Sequence, residues 1–212
     1  MRKQLNSTRN KEGYIDLTAY EAVKNAEREL RGRRSRISGQ HFEDMIAASL
    51  NWYKSMNVAH IEKTPEPMKP LGKANRSGQF LACFTKQGQP DFKGTITGGR
   101  SVVFEAKHTD GDRITFDRLT EEQVRALDAH HKLGAATFVL VSFGLQDFYR
   151  VPWETWRDMK ELYGRKYIRQ NELEKCRVQF MSGVLKLLEG IETAFGEEDP
   201  DGDQTGGENK KQ

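Results

Sequence analysis

The stretch QPDFKGTITGGRSVVFEAK, residues 89–107, decides both the fold and the chemistry of this chain. Its apolar, β-branched runs on either side of a Thr-Gly-Gly turn predict a β-hairpin, with strands over 91–96 and 101–107. Side chains alternate along a strand, so Glu105 and Lys107 point to one face while Phe104 points to the other, into the core. An acid and a lysine are therefore held together on one rigid strand.

Asp91 begins the neighbouring strand, and hairpin pairing can bring its carboxylate beside that of Glu105. Two converging carboxylates repel each other unless a divalent cation lies between them, and Mg²⁺ prefers one or two carboxylates together with water and phosphate oxygens. The cation would lower the pKa of a bound water, and Lys107 would stabilise charge on the phosphate. The stretch predicts a metal-dependent nuclease centre, although an E-x-K pair taken alone is more often a solvent-facing cross-strand pair.

The segments before the hairpin predict two helices and a strand. A weak apolar stripe follows the capping-box pattern of Thr18 and Glu21, and Ser38 is predicted to cap a second helix. The second helix carries apolar residues at helical spacing that should face the core, namely Phe42, Ile46, Leu50 and Tyr53. A short strand is predicted over 59–63, ended by the prolines that follow it.

After the hairpin, a helix is predicted to open at Thr120 and to stop at Gly134. The apolar run over 137–143 is typical of a buried strand, and a shorter strand over 148–151 should pair with it. The order helix, strand, hairpin, helix, strand, strand predicts an α/β fold, in which a small mixed β-sheet is flanked by helices.

Charge is unevenly distributed along the 212 residues. The net charge is +3, yet residues 196–212 contain six acids and two lysines, so the rest of the chain is more basic. The composition predicts a basic N-terminal extension over 1–35 and a disordered acidic tail over 196–212. The segment between them, 36–195, contains the predicted nuclease centre and is expected to be the nuclease domain. A basic body suits a nucleic-acid-binding protein, but ordinary solvated charge explains the composition equally well.

The sequence predicts a cytoplasmic protein with no membrane segment. No apolar run approaches the roughly 20 residues that cross a bilayer. The first residues, MRKQL, lack the apolar core of a secretory signal. Cys83 and Cys176 lie far apart and fit no cysteine metal-site spacing.

Pro90-Asp91, followed by Glu105-x-Lys107, resembles the signature of the PD-(D/E)xK nuclease superfamily, and the chain more narrowly resembles RecU-type Holliday-junction resolvases. The likeness runs from about residue 38 to residue 191. It rests on further blocks in matching order: GQHFE at 39–43, NWY at 51–53, IEKTPEP at 61–67 and GRKYIR at 164–169. The resemblance implies a restriction-endonuclease-like core with a projecting stalk segment over about 68–88.

The resemblance also implies roles for individual residues. Asp91 and Glu105 would bind the metal, Mg²⁺ or Mn²⁺, and Lys107 would stabilise the transition state. Gln123 would complete the metal site. Gln123 is also the third residue after Thr120, where a capping-box glutamine bonds the N-cap amide, and the local pattern alone favours that role.

Two further positions are candidates for the metal site. The family has a threonine among its metal ligands where this chain has Gln89, whose carbonyl oxygen could still coordinate directly or through water. Glu43 could face the metal site from the second predicted helix as a supporting acid. Alternatively, Glu43 is an acid favoured by the dipole at the start of that helix.

The stalk segment and the N-terminal extension both carry basic residues. The stalk contains Lys69, Lys73, Arg76 and Lys86, with Phe80 and Phe84 between them. Lysines and arginines neutralise phosphates and aromatic rings stack on exposed bases, so the stalk should bind DNA. The alternative is a solvated loop whose aromatic rings return to the core. Arg33, Arg34 and Arg36 would extend the basic surface.

Together these features predict a structure-selective endonuclease that resolves Holliday junctions by metal-dependent phosphodiester hydrolysis, in DNA recombination and repair. Resolution of a four-way junction needs two symmetric cuts, which predicts a homodimer with two identical sites. Two alternatives stay open. One is a PD-(D/E)xK nuclease acting on another DNA structure; the other is a junction-binding recombination scaffold with little cleavage, which Gln89 supports.

Overall fold

The computed structural model describes residues 17–65, 67–85 and 88–191. It begins with one continuous helix, α1 (Leu17–Ser55), so the prediction of a helix start at Ser38 is wrong. The segment between the two predicted helices contains no proline and is rich in arginine, a good helix former, and therefore nothing interrupts the backbone ladder.

The two halves of α1 lie in different environments. The described side chains between residues 21 and 36 are exposed to solvent, whereas the predicted core stripe is buried at Phe42, Ile46, Leu50 and Tyr53. The proposed boundary between residues 35 and 36 thus falls inside a continuous helix, and the division into domains stays a prediction. Residues 1–16 and the acidic tail over 196–212 lie outside the described residues.

The remaining elements surround a six-stranded mixed sheet. Its strands are β1 (Ala59–Lys63), β4 (Phe92–Ile96), β5 (Ser101–Thr109), β7 (Ala136–Phe143), β8 (Asp147–Pro152) and β10 (Arg177–Val178), adjacent in that order. All neighbouring pairs are antiparallel except β5 and β7, which are parallel and joined through helix α2 (Glu121–Lys132). Two short helices, α3 (Trp153–Arg157) and α4 (Met159–Tyr163), follow β8. The predicted α/β class is confirmed.

Both faces of the sheet are covered. On the α1 face, the rings of Phe92, Phe104 and Phe138 stack in a row, with centroids 4.8 and 4.7 Å apart. On the opposite face, α2 and α3 pack Leu127, Trp153 and other apolar side chains against the sheet. Strand β7 lies in the middle and is buried at every residue, the pattern expected of a strand covered on both faces.

Three two-stranded ribbons lie outside the main sheet. They are formed by β2 (Met68–Pro70) with β3 (Ala82–Phe84), by β6 (Arg113–Thr115) with β9 (Tyr167–Arg169), and by β11 (Phe180–Met181) with β12 (Val184–Leu185). The described residues from 67 to 81 are all exposed, which agrees with a projecting stalk. Across the described residues, no helix has the length and apolar character of a membrane span.

Candidate metal-dependent active site

The candidate site lies where β5 extends beyond its pairing with β4. Strand β4 pairs with β5 only from Ser101 to Phe104, whereas β7 pairs with β5 as far as Thr109. One edge of β5 is therefore free of strand pairing beyond Phe104. Asp91, immediately before β4, fills the first position on that edge, where its Oδ2 accepts a hydrogen bond from the backbone N–H of Ala106 at 3.1 Å.

Lys107 joins the two predicted acids. Its Nζ lies 2.8 Å from Glu105 Oε2 and 3.5 Å from Asp91 Oδ2. The Lys107 side chain is only 14% exposed, so its charge is little screened by solvent. The structure thus brings Asp91, Glu105 and Lys107 together on the α2 face, as strand alternation and hairpin pairing predict.

Glu105 is fully buried, so the solvent-facing pair considered from the sequence is not what forms. Burial in the centre of the sheet, together with the neighbouring Asp91, raises the pKa of Glu105 to about 8, although Lys107 opposes the rise. Glu105 Oε1 is buried and has no hydrogen-bond partner among the described residues. An ionised carboxylate in this environment requires further positive charge or donors.

Gln123 forms the predicted cap and also contacts a predicted metal-site acid, whereas metal binding by Gln123 itself stays a prediction. At the start of α2, its Oε1 accepts from the Thr120 N–H at 3.0 Å and its own N–H donates to Thr120 Oγ1 at 3.3 Å, which completes a capping box. The other end of the same amide, Nε2, donates to Glu105 Oε2 at 2.6 Å. The cap therefore fixes the orientation of the amide that contacts the acid.

The oxygens present suit a hard divalent cation. Glu105 Oε1 is a buried carboxylate oxygen that has no donor among the described residues, and Asp91 shares Lys107 with Glu105. The carbonyl of Ala106 faces the same free edge as its N–H, because both groups of a strand residue point to one side. Within the described parts of the chain, no three His, Cys, Asp or Glu side chains cluster as metal ligands. Two carboxylates completed by water fit Mg²⁺ better than a fully protein-ligated zinc.

The structure gives Gln89 and Glu43 other partners. Gln89 is exposed, and its Oε1 accepts from Lys93 Nζ at 2.5 Å. Glu43 forms an ion pair with Lys63, and alternation along β1 places Lys63 on the α1 face, with the buried Ile61. Glu43 is thus held on the opposite face of the sheet from Glu105. Metal contacts by Gln89 or Glu43 stay predictions.

The predicted DNA-binding residues that the structure describes are exposed. Lys69, Lys73 and Arg76 project with the β2–β3 ribbon, and Arg33, Arg34 and Arg36 lie on the exposed half of α1. Lys86 lies outside the described residues. Phe80 is 53% exposed, so its ring does not return to the core as the alternative reading of this segment required.

Two residues near the site, Thr64 and Arg118, were not predicted from the sequence. The N–H of Thr64 donates to the Asp91 carbonyl at 2.8 Å, and its buried Oγ1 has no hydrogen-bond partner among the described residues. Arg118, in the short 3-10 helix Phe116–Arg118, donates from Nη2 to the His108 carbonyl at 2.9 Å. No local sequence pattern marks either residue, because each reaches the site through contacts between separate segments.

The mixed sheet, with Glu105 and Lys107 on strand β5 and Asp91 immediately before β4, has the arrangement of a PD-(D/E)xK nuclease. The sequence model of the RecU family, Recombination protein U, matches residues 37–193, and the chain belongs to this family. The family predicted from the sequence motifs is confirmed.

A comparison with solved structures finds Hjc of Archaeoglobus fulgidus, a Holliday junction resolvase from an archaeal hyperthermophile. It is 13% identical, with a TM-score of 0.39, and the similarity covers 64% of this chain and 87% of Hjc. No curated protein matches the sequence. The family assignment therefore rests on the sequence match over residues 37–193.

Proposed function

We propose that this RecU-family protein is a structure-selective endonuclease that resolves Holliday junctions in DNA recombination and repair, using Mg²⁺ or Mn²⁺. One observation carries the proposal: a buried Glu105 oxygen without a donor lies in the acid–lysine cluster formed with Asp91 and Lys107. Family membership supplies the recombination context, and the DNA substrate follows from the family and from the exposed basic residues.

Each side chain of the cluster has a distinct task in this proposal. Asp91 and Glu105 hold the metal, and the metal, when bound, lowers the pKa of a water and neutralises phosphate charge. Lys107 lies within ion-pair distance of both acids and presents its ammonium to a phosphate oxygen. Gln123 orients Glu105 by donating to Oε2, which leaves Oε1 available for the cation.

Further elements of the proposal concern assembly and location. We propose a homodimer, because symmetric cuts in a four-way junction need two identical sites. The β2–β3 stalk and the arginines of α1 would neutralise DNA phosphates around the cut. The proposed setting is the bacterial cytoplasm, for a protein of either bacterial or phage origin.

The test is cleavage of a synthetic four-way junction beside a linear duplex of the same sequence, in Mg²⁺, Mn²⁺ and Ca²⁺. Asp91→Ala and Lys107→Ala are expected to abolish cutting. Asp44→Ala and Lys132→Ala are the matched controls, because both residues lie on exposed helix surfaces. Equal cutting of linear duplex would favour a nuclease for another DNA structure. Junction binding without cleavage in any metal would favour a recombination scaffold.

A further inference from the structure

The free edge of β5 presents backbone groups at two successive positions. The Thr109 carbonyl accepts from Gly144, which follows β7, so the odd-numbered residues of β5 direct their backbone groups towards β7. Ala106 and His108 must then direct theirs the other way, to the edge that β4 leaves uncovered. Asp91 bonds the Ala106 N–H on this edge, and Arg118 bonds the His108 carbonyl.

The residues that anchor the Asp91 and Arg118 side chains lie close together along β5. Residues two apart on a strand lie about 7 Å apart along it. The Arg118 guanidinium and the Asp91 carboxylate are therefore anchored to residues one strand repeat apart, on the same edge of β5. Arg118 comes from a segment between β6 and α2, which places it just before Gln123 in the chain.

Arg118 donates to a backbone carbonyl, as Arg100 and Arg150 do, whereas several other arginines of the domain pair with acids. Arg165 pairs with Glu172, Arg157 with Asp158, and Arg177 with Asp147 and Glu174. In each of these cases a carboxylate compensates the positive charge. Arg118 instead donates one of its five N–H groups to a neutral carbonyl, and its side chain is exposed.

We propose that Arg118 is a phosphate-binding residue of the active site, contacting the DNA backbone at or next to the phosphate that is cut. The inference rests on the proposed nuclease function. The hydrogen bond to His108 fixes the guanidinium. Its remaining N–H groups have no acceptor among residues 17–65, 67–85 and 88–191, and they can bind a phosphate oxygen in the paired geometry that arginine favours.

Charge balance supports a second cation at this position. Two carboxylates, the Lys107 ammonium and a divalent cation leave one positive charge, which a phosphodiester anion neutralises. Hydrolysis adds negative charge to the phosphoryl oxygens in the transition state. Lys107 is already shared by Asp91 and Glu105, whereas Arg118 forms no ion pair with an acid among the described residues and supplies a further positive charge.

The first test measures DNA binding without metal, so that no cleavage occurs. Junction affinity of the wild type, Arg118→Gln and Arg118→Lys is followed by fluorescence anisotropy in EDTA over a salt series. Glutamine can still donate to the His108 carbonyl but carries no charge. Arg118→Gln is expected to reduce the slope of log affinity against log salt by about 0.9, the effect of one phosphate contact, and Arg118→Lys to retain it.

The second test is single-turnover cleavage in Mg²⁺ at saturating enzyme. Arg118→Gln is expected to slow cleavage by about 10- to 100-fold, and Arg118→Lys to recover part of that loss. Arg125→Gln is the matched control, because it removes one exposed arginine from the outer side of α2, where Arg125 lies 3.8 Å from Glu122. Arg125→Gln should change neither the salt slope nor the rate.

The inference is overturned if Arg118→Gln behaves like Arg125→Gln in both measurements. A failure of this inference can be distinguished from a failure of the proposed nuclease function. A wild type that cuts no junction would refute the nuclease proposal, and the metal-free salt slope would still report whether Arg118 binds a phosphate. If Arg118→Gln and Arg118→Lys unfold at the same temperature as the wild type, their loss of binding or cleavage is not caused by misfolding.

Discussion

The side-chain amide of Gln123 joins the start of α2 to the buried carboxylate of Glu105, with Nε2 donating to Oε2 at 2.6 Å. The other end of the same amide caps the helix through the Thr120 N–H. Helix α2 and strand β5 are thus coupled through one side chain, and the position of the helix is linked to the orientation of the acid.

The two contacts of Gln123 can be separated by substitution. Thr120→Ala removes half of the cap and is expected to reduce the free energy of unfolding by about 1 kcal/mol, while cleavage stays within about twofold. Gln123→Met also removes the donor to Glu105, and we expect cleavage to fall about 10-fold because the carboxylate loses its orientation. Thermal unfolding and single-turnover cleavage measure the two effects. Equal cleavage by both variants would show that the cap is the only role of Gln123.

The raised pKa of Glu105 predicts a pH-dependent stability of the metal-free protein. A raised folded-state pKa favours the neutral acid, so its stabilising contribution is complete below about pH 4.5 and is lost as pH rises through about 8. Glu105→Gln mimics the neutral form at every pH. Its stability relative to the wild type in EDTA should therefore increase from pH 4.5 to pH 8, by up to a few kcal/mol. Urea unfolding at several pH values measures this, and a constant difference would contradict it.

Bound metal should offset the loss of wild-type stability at high pH. A metal ligand must be ionised, so binding to Glu105 below pH 8 releases a proton and becomes tighter as pH rises. We expect saturating Mg²⁺ or Mn²⁺ to raise the melting temperature of the wild type more at pH 8 than at pH 6, and to leave Glu105→Gln nearly unchanged. Differential scanning fluorimetry with a metal series measures the shift. An equal response of the variant would remove Glu105 from the metal site.

The buried hydroxyl of Thr64 predicts an increase in stability on substitution. Its Oγ1 has no hydrogen-bond partner among the described residues, and such a group costs about 1–3 kcal/mol. Thr64→Val keeps the shape and should raise the free energy of unfolding in EDTA by about 1 kcal/mol. Thr97→Val is the control, because the Thr97 hydroxyl donates to backbone carbonyls of Asn57 and Val58, and it should destabilise the protein. Loss of stability in Thr64→Val would mean that the hydroxyl has a partner in solution.

Replacing the basic residues of the stalk should weaken DNA binding without destabilising the protein. Lys69, Lys73 and Arg76 are exposed, so their simultaneous replacement by glutamine should leave thermal unfolding unchanged. The loss of three phosphate contacts should lower the salt slope of junction binding by between about 2 and 3 units. Replacement of exposed Lys132, Lys160 and Lys175, which lie away from the stalk, is the control. An unchanged slope would exclude the stalk from DNA contact.

The sequence alone determined the central hairpin and the common orientation of Glu105 and Lys107. It also determined the apolar stripe of α1 that begins at Phe42. These features follow from the repeat of the backbone itself, two residues in a strand and 3.6 in a helix, so a local pattern is sufficient to predict them. The hairpin turn also sets the pairing that brings Asp91 to β5. The family blocks were equally visible in the sequence and match the family found.

Tertiary structure decided the burial and the contacts of this acid–lysine cluster. Glu105 is buried because α2 and the central strands enclose it, and strand alternation alone left its exposure open. The two contacts of Gln123, the contact of Thr64 with Asp91 and that of Arg118 with His108 also depend on how separate segments pack. Burial, unpaired atoms and pKa arise from the whole three-dimensional surrounding of a group, which residues distant in sequence create.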